Sequence, residues 1–216
     1  MKIPTLPAFA VLFAMAAATA QENRFYFGVK SGLLLTDNRE SAFRAGRGAT
    51  FDSRLGQNRF SIGPSVEVAL PGRFRLESGF LYRRFSRSET VSTGPAFWQT
   101  ELIRGSRWEV PLVLSREWGA RRIRPFLGAG GAWSHVPPPE TVVTTFNELG
   151  PPPFTPAVIR TRRASDNTGG LIVAGGLRLR GPARIRFTPE VRFTRWTSGQ
   201  WLPSRNQVDL FLGIGF

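Results

Sequence analysis

Period-two alternation of apolar and polar residues recurs in eight stretches of this chain and constrains its fold more than any other feature. In Asn206–Phe216, the apolar Val208, Leu210, Leu212, Ile214 and Phe216 are separated by Gln207, Asp209, Phe211, Gly213 and Gly215. Successive side chains of a strand point to opposite faces, so this segment reads as a strand with one greasy face. Ala183–Trp196 repeats the pattern, with Ile185, Phe187, Pro189, Val191 and Phe193 on one face and Arg184, Arg186, Thr188, Glu190, Arg192 and Thr194 on the other. Phe25–Leu35, Arg59–Leu70, Phe74–Ser86, Arg107–Trp118, Arg122–Val136 and Thr168–Arg180 follow the same rule, and none of the eight is shorter than 11 residues. An average globular strand runs to about 5–6 residues, whereas a tilted membrane-crossing strand needs about 9–11.

The connections alternate in length. Pro71-Gly72, Gly119-Ala120 and Gly181-Pro182 have the composition of tight turns. Between them lie the long stretches Thr36–Asn58, Ser88–Ser106, Pro137–Asn167 and Thr197–Arg205. Short turns at one end, long loops at the other and an even strand number characterise transmembrane barrels. The expected fold is all-β: an eight-stranded antiparallel up-and-down transmembrane β-barrel over residues 21–216. Lipid offers backbone groups no partner, so only helices and closed sheets span it. Eight strands leave an interior just wide enough for side chains to fill. Gly28, Gly32, Gly63, Gly79, Gly128, Gly130, Gly176, Gly213 and Gly215 share the inward parity and are expected to make room there. The proline tracts Pro137–Pro139 and Pro151–Pro153 predict a stiff, extended loop rather than a folded insert.

The inward parity carries both signs of charge. Its acids are Glu67, Glu77, Glu109, Glu117, Glu190 and Asp209, and its bases include Lys30, Arg75, Arg83, Arg124, Arg178, Arg184, Arg186 and Arg192. Buried charges are tolerable only when paired and hydrogen-bonded, so these residues are expected to form an arginine–carboxylate network that plugs the lumen. Leu34, Leu81, Val113, Phe126, Ile172 and Phe211 share that parity and argue against a wide water-filled pore. Phe25, Phe74, Trp118 and Phe216 at one end of the strands, with Phe60, Trp108 and Trp133 at the other, are placed for aromatic belts.

Met1–Ala20 begins with Lys2, continues with an apolar run from about Leu6 to Ala18, and closes on Ala18-Thr19-Ala20, the small-x-small pattern of a signal peptidase site. Cleavage before Gln21 is expected. The 216 residues carry a net charge of +14, yet only Lys2 and Lys30 are lysines. An arginine-dominated surplus on an exported chain suits a GC-rich genome and an envelope location rather than a nucleic-acid partner. With no cysteine and a single histidine, thiolate chemistry and multi-histidine metal sites are out. No cofactor is expected.

The region Gln21–Phe216 resembles the bacterial outer-membrane-protein β-barrel family, the PorT-like group among small OmpA-type barrels. The resemblance is carried by Gly63-Pro64-Ser65-Val66-Glu67, Phe74-Arg75-Leu76-Glu77-Ser78-Gly79-Phe80-Leu81-Tyr82, Trp108-Glu109-Val110-Pro111-Leu112-Val113-Leu114, Arg124-Pro125-Phe126-Leu127-Gly128-Ala129-Gly130, Pro189-Glu190-Val191-Arg192-Phe193 and Phe216. It implies insertion into the outer membrane of a Gram-negative bacterium, among lipid and lipopolysaccharide. It also implies recognition of the Phe216 strand by the barrel-assembly machinery. It implies no single activity, since the scaffold hosts many roles. A monomer is expected.

Three function classes follow. The first is a non-catalytic structural or adhesive barrel whose long-loop arginines, Arg160, Arg162 and Arg163 among them, clamp anionic groups. The second is a soluble exported barrel resembling a lipocalin, with the apolar parity turned inward. The third is a small lipid-modifying enzyme. An enzyme of the serine–histidine type would have to use His135, whose neighbour Ser134 points to the opposite face, and no Gly-x-Ser-x-Gly elbow is present. Arginines of compatible parity make structural pairing the better role for the lumen acids, so no enzyme activity is expected.

Overall fold

The computed structural model describes residues 25–36, 41–46, 49–93, 97–119, 122–147, 156–181, 185–197 and 205–216. The expected signal segment and Arg184 lie outside the described residues. Eight staves form a closed antiparallel ring: β1 (Phe25–Leu34), β3 (Ala49–Leu70), β4 (Phe74–Gly79) continued by β5 (Leu81–Thr93), β6 (Phe97–Glu117), β7 (Ile123–Val136), β10 (Asp166–Arg180), β11 (Arg186–Trp196) and β12 (Asn206–Gly215). The seam closes between β1 and β12, in register from Gly28 opposite Gly215 to Leu34 opposite Asp209. Beyond the ladder, Phe27 and Phe216 exchange backbone hydrogen bonds of 3.2 and 3.0 Å. No edge is left within the ring, which is what a hydrocarbon surround demands.

The alternation resolves with the charged parity inside. Along β11 the burial is strictly periodic: Arg186, Thr188, Glu190, Arg192, Thr194 and Trp196 are buried, while Phe187, Val191 and Phe193 are exposed. On the other staves Leu33, Phe60, Leu112, Leu127, Leu171 and Leu210 face outward. An apolar lumen of the lipocalin kind is therefore not what this chain builds. Trp118 and Trp108, Ile123 and Trp133, and Leu70 and Phe60 bracket the outer apolar surface at intervals of ten residues. At about 3.3 Å per residue and a tilt of about 40°, ten residues span about 25 Å, the height of a barrel's lipid-facing band.

Two expectations about the connections are corrected. Much of Thr36–Asn58 and Ser88–Ser106 is strand: β3 has 22 residues and β6 has 21, and their ladders with β5 run out to Ala49 opposite Thr93 and Trp98 opposite Ser92. The proline-flanked stretch is a folded insert, a hairpin of β8 (Glu140–Asn147) and β9 (Ala157–Arg162). The β-branched run Thr141-Val142-Val143-Thr144-Thr145 supplies the strand preference that the flanking prolines obscure. Beyond the rim, β2 (Ser41–Gly46) takes the place of β1 beside β3, and β8 takes the place of β7 beside β6. The result is a wall, ordered β2-β3-β5-β6-β8-β9, that rises from one side of the mouth.

The inward glycines divide into two kinds. A Cβ at Gly28, Gly63, Gly130 or Gly176 would collide with a backbone carbonyl of the adjacent stave, those of Ile214, Phe80, Leu112 and Pro189 respectively. These glycines permit close strand approach rather than emptying the lumen. At Gly32, by contrast, a Cβ would meet the ring of its cross-strand partner Phe211, so that glycine does make room. Gly170 serves Trp196, and Gly105 serves Phe85, in the same way. A matched pair tests the division. Gly130→Ala should cost about 2–3 kcal/mol through the rigid backbone collision. Gly213→Ala, whose Cβ would sit at ordinary contact 3.5 Å from Thr188 Cβ, should change stability by no more than about 0.5 kcal/mol. Urea unfolding in lipid vesicles, followed by gel mobility without heating, measures both.

Candidate functional site

Charged and aromatic side chains are arranged in layers along the lumen. Midway, Lys30 of β1, Glu77 of β4, and Glu190 and Arg192 of β11 close a box in which each cation touches both carboxylates. Lys30 Nζ pairs with Glu77 and lies 2.8 Å from Glu190, while Arg192 Nη2 lies 3.0 Å from Glu77 and 2.8 Å from Glu190. The alternation of signs cancels the charge, and all four groups are buried. Phe211 packs against both cations, its centroid 4.6 Å from the Arg192 guanidinium carbon and 5.7 Å from Lys30 Nζ.

At the short-turn end, Glu67 pairs with Arg186 at 2.8 Å and Arg178 at 3.5 Å. Glu117 pairs with Arg75, with Arg178 at 3.2 Å and with Arg124 at 3.3 Å. The planar guanidiniums lie on aromatic rings: Arg186 and Arg75 on Tyr26, at 4.1 and 4.7 Å, and Arg178 on Phe126 at 4.0 Å. Arg124 is the half-buried member at the rim. A cavity of about 10 Å³ remains here, lined in part by Tyr26, Lys30, Glu67 and Arg186. That is about one water's worth of space.

Toward the long-loop end, Arg83 pairs with Asp209 at 2.7 Å, and Asp209 also accepts from Gln207 Nε2 at 2.5 Å. Arg107 donates to Ser134 Oγ at 2.7 Å and Gln207 Oε1 at 3.3 Å, pairs with Glu109 at 3.4 Å and lies over Trp196 at 4.2 Å. Trp196 Nε1 donates to the same Gln207 oxygen at 3.2 Å. Above this layer Phe85, Ile103 and Val136 form an apolar cluster inside the wall.

Of the residues expected in the network, all but the undescribed Arg184 meet at least one opposite charge, on a facing stave, a neighbouring stave or, for Glu109, the same strand. Sequence reasoning missed Arg107, Ser134, Gln207, Tyr26 and Trp196. The parity that singled out Glu109 and Asp209 also passes through Arg107 and Gln207. Ser134 faces inward to Arg107, whereas His135 lies on the outer parity, hydrogen-bonded to Asn167 at 2.9 Å and stacked on Trp133. The two do not form a nucleophile–base pair.

On the wall, all six residues of β9 are exposed. Arg160 and Arg162 share the outer face with Arg104, through the register Arg104–Glu140–Arg162. Arg163 turns to the opposite face, where it pairs with Glu101, and its backbone N–H donates to Pro139 O at 3.1 Å. The three predicted loop arginines thus do not converge on one point.

A closed ring of eight long staves, greasy without and ionic within, defines a transmembrane β-barrel. No protein-family model matches the chain, and no curated protein matches it. Among solved structures the chain is similar to Neisserial surface protein A, at 11% identity over 88% of this chain and 95% of that one, with a TM-score of 0.47. It is similar to the N-terminal barrel domain of Pseudomonas aeruginosa OprF, at 10% identity over 91% and 100%, with a TM-score of 0.42. It is similar also to Ail, the attachment invasion locus protein of Yersinia pestis, at 8% identity over 89% and 95%, with a TM-score of 0.35.

The central box sets a stability test. Glu190→Gln leaves Lys30 and Arg192 to share Glu77 and should cost about 3–5 kcal/mol in urea unfolding. Lys30→Met combined with Glu190→Gln restores one cation to one carboxylate. The double variant should be more stable than the sum of the two single losses predicts, with a coupling of at least about 1 kcal/mol.

Proposed function

We propose that this chain is a non-catalytic outer-membrane protein of the Gram-negative envelope, one of the small OmpA-type barrels and similar to their PorT-like group. Its lumen is plugged by side chains, and its wall serves as a surface-binding or adhesive module. The observation that carries this reading is the inverted polarity: an apolar belt about 25 Å high outside and paired charges within. Strand-based crossing, the export segment Met1–Ala20 and the final alternating strand support the outer membrane over the inner one. The cation–carboxylate layers with aromatic rings between them support a lumen that passes little solute.

The wall supports the binding role. A hairpin whose outer strand is exposed throughout and carries Arg160 and Arg162 suits sugar-phosphate or sulfate polymers, including neighbouring lipopolysaccharide, through charge-assisted forks.

Outer-membrane fractions should contain the protein as a band that migrates faster unheated than boiled, and the folded protein should conduct weakly in a planar bilayer. A soluble band with no heat shift would defeat the membrane reading. A large, steady conductance would defeat the plug. Arg160→Glu with Arg162→Glu should reduce retention on immobilised lipopolysaccharide about tenfold at 0.15 M salt, and unchanged retention would remove the anion-binding role.

A further inference from the structure

The outer surface on either side of Phe80 carries two depressions stacked along one line, the lower bounded by β1, β3, β4 and β6 and the upper by β5 and β6. The lower, of about 500 Å³, is lined by Phe27, Pro64, Val66, Ser78, Phe80 and Val110 and lies within the apolar belt. The Ser78 hydroxyl on its lining is already donated to Pro111 O at 3.0 Å. The upper, of about 490 Å³, is lined by Tyr82, Arg84, Ser86, Arg104 and Ser106. Between them Trp108 stacks on Phe80 and lies tilted at 49° against Tyr82, with centroids 4.6 Å apart in each pair. Outward positions run in order down both strands: Ser86, Arg84, Tyr82, Phe80 on one, and Arg104, Ser106, Trp108, Val110 on its neighbour.

Trp108 belongs to the belt that marks the hydrocarbon boundary. Arg84 and Arg104 lie two to four residues beyond it, about 5–10 Å into the headgroup region. Among the described residues neither arginine makes an ion pair. Arg84 is held only by a hydrogen bond to Tyr82 Oη at 3.1 Å. Glu140 stands across the ladder from Arg104 but makes no ion pair with it among the described residues. A cationic pocket at phosphate depth therefore opens directly above an apolar groove at acyl-chain depth.

We propose that this two-part surface is a binding site for a phosphorylated acyl lipid of the leaflet at the long-loop end. The phosphate sits between the guanidiniums of Arg84 and Arg104, the glycerol or sugar portion lies over the Tyr82–Trp108 pair, and one chain lies in the groove beside Val110. Two guanidiniums bind phosphate through paired N–H donors, and a chain lying in the groove fills contacts that mobile bulk lipid fills poorly. The site rests on the membrane reading above.

The test uses the folded full chain in neutral phosphatidylcholine nanodiscs doped with phosphatidic acid, with retained lipid counted by native mass spectrometry. One phosphatidic acid should stay bound when phosphatidylcholine has been stripped. Arg84→Gln with Arg104→Gln should weaken its retention about tenfold. Val110→Trp, which fills the groove from a lipid-facing position, should weaken it too, and the unheated gel mobility of both variants should match the parent. Retention unaffected by the arginine pair, or equal for phosphatidylcholine, would overturn the proposal. So would competition by inorganic phosphate combined with indifference to Val110→Trp, which would reveal a headgroup contact alone. Failure of the parent to enter nanodiscs would count against the membrane reading instead.

Discussion

Hydrocarbon has no hydrogen bonds to offer, and that single fact orders this molecule. Each backbone N–H and C=O must be met inside the protein, so the sheet closes on itself through the β1–β12 seam. Charges in the spanning region are directed inward, so one parity of each stave is largely ionic and the other greasy; Arg116, two residues from the short-turn boundary at Trp118, faces outward over Phe74. The ionic parity must then solve its own problem. Six carboxylates and seven cations are buried in the lumen of the described residues, and a lone one would be costly. They are arranged in alternating layers so that the Lys30–Glu77–Arg192–Glu190 box balances at mid-height, while surplus arginines lie toward the wetter ends.

Aromatic rings make that arrangement compact. Tyr26, Phe126, Trp196 and Phe211 each lie against the flat face of an arginine whose edge is engaged by a carboxylate or a hydroxyl. A guanidinium satisfies edge and face at once, which an ammonium does not, and this gives the arginine bias a structural use. Large rings need space that a narrow barrel lacks. Gly32 and Gly170 provide it directly across the ladder from Phe211 and Trp196. Ring and glycine are one device: the ring covers the bare backbone and the glycine admits the ring.

Much of this was legible in the residues alone. Period two is exact in a strand, so eight alternating segments, their partition into faces and the identity of most lumen charges follow from parity. The direction of the faces does not, because a soluble barrel with an oily core shows the same alternation. Segment length, the placement of aromatics at the strand ends and the terminal Phe216 break that symmetry. The projecting strands were illegible for a physical reason. Beyond the rim both faces meet water, so nothing forces alternation, and Ser88–Ser106 reads as loop although it is ladder. Glycine roles were half legible, since parity cannot distinguish a glycine that clears the lumen from one that lets a neighbouring carbonyl approach. Trp196 sits at a strand end like a belt residue, yet is 1% exposed.

The two halves of the molecule answer to different constraints, and this bears on where function resides. Inside, the charged side chains are committed to partners on the same, neighbouring or facing staves, so a change there costs stability before it changes recognition. Outside, the apolar groove is bounded by β1, β3, β4 and β6, and three of these staves, β3, β4 through its continuation β5, and β6, run on upward as the wall. Their outer face passes without a break from acyl depth, through the Phe80–Tyr82–Trp108 cluster, to Arg84 and Arg104 and on to Arg160 and Arg162. Arginines that make no ion pair among the described residues thus gather on one flank of a barrel whose interior has paired nearly all of its own. A rigid ring that needs nothing further from its surroundings can hold such a surface in fixed geometry, and adjusting that surface leaves the ring's own stability untouched.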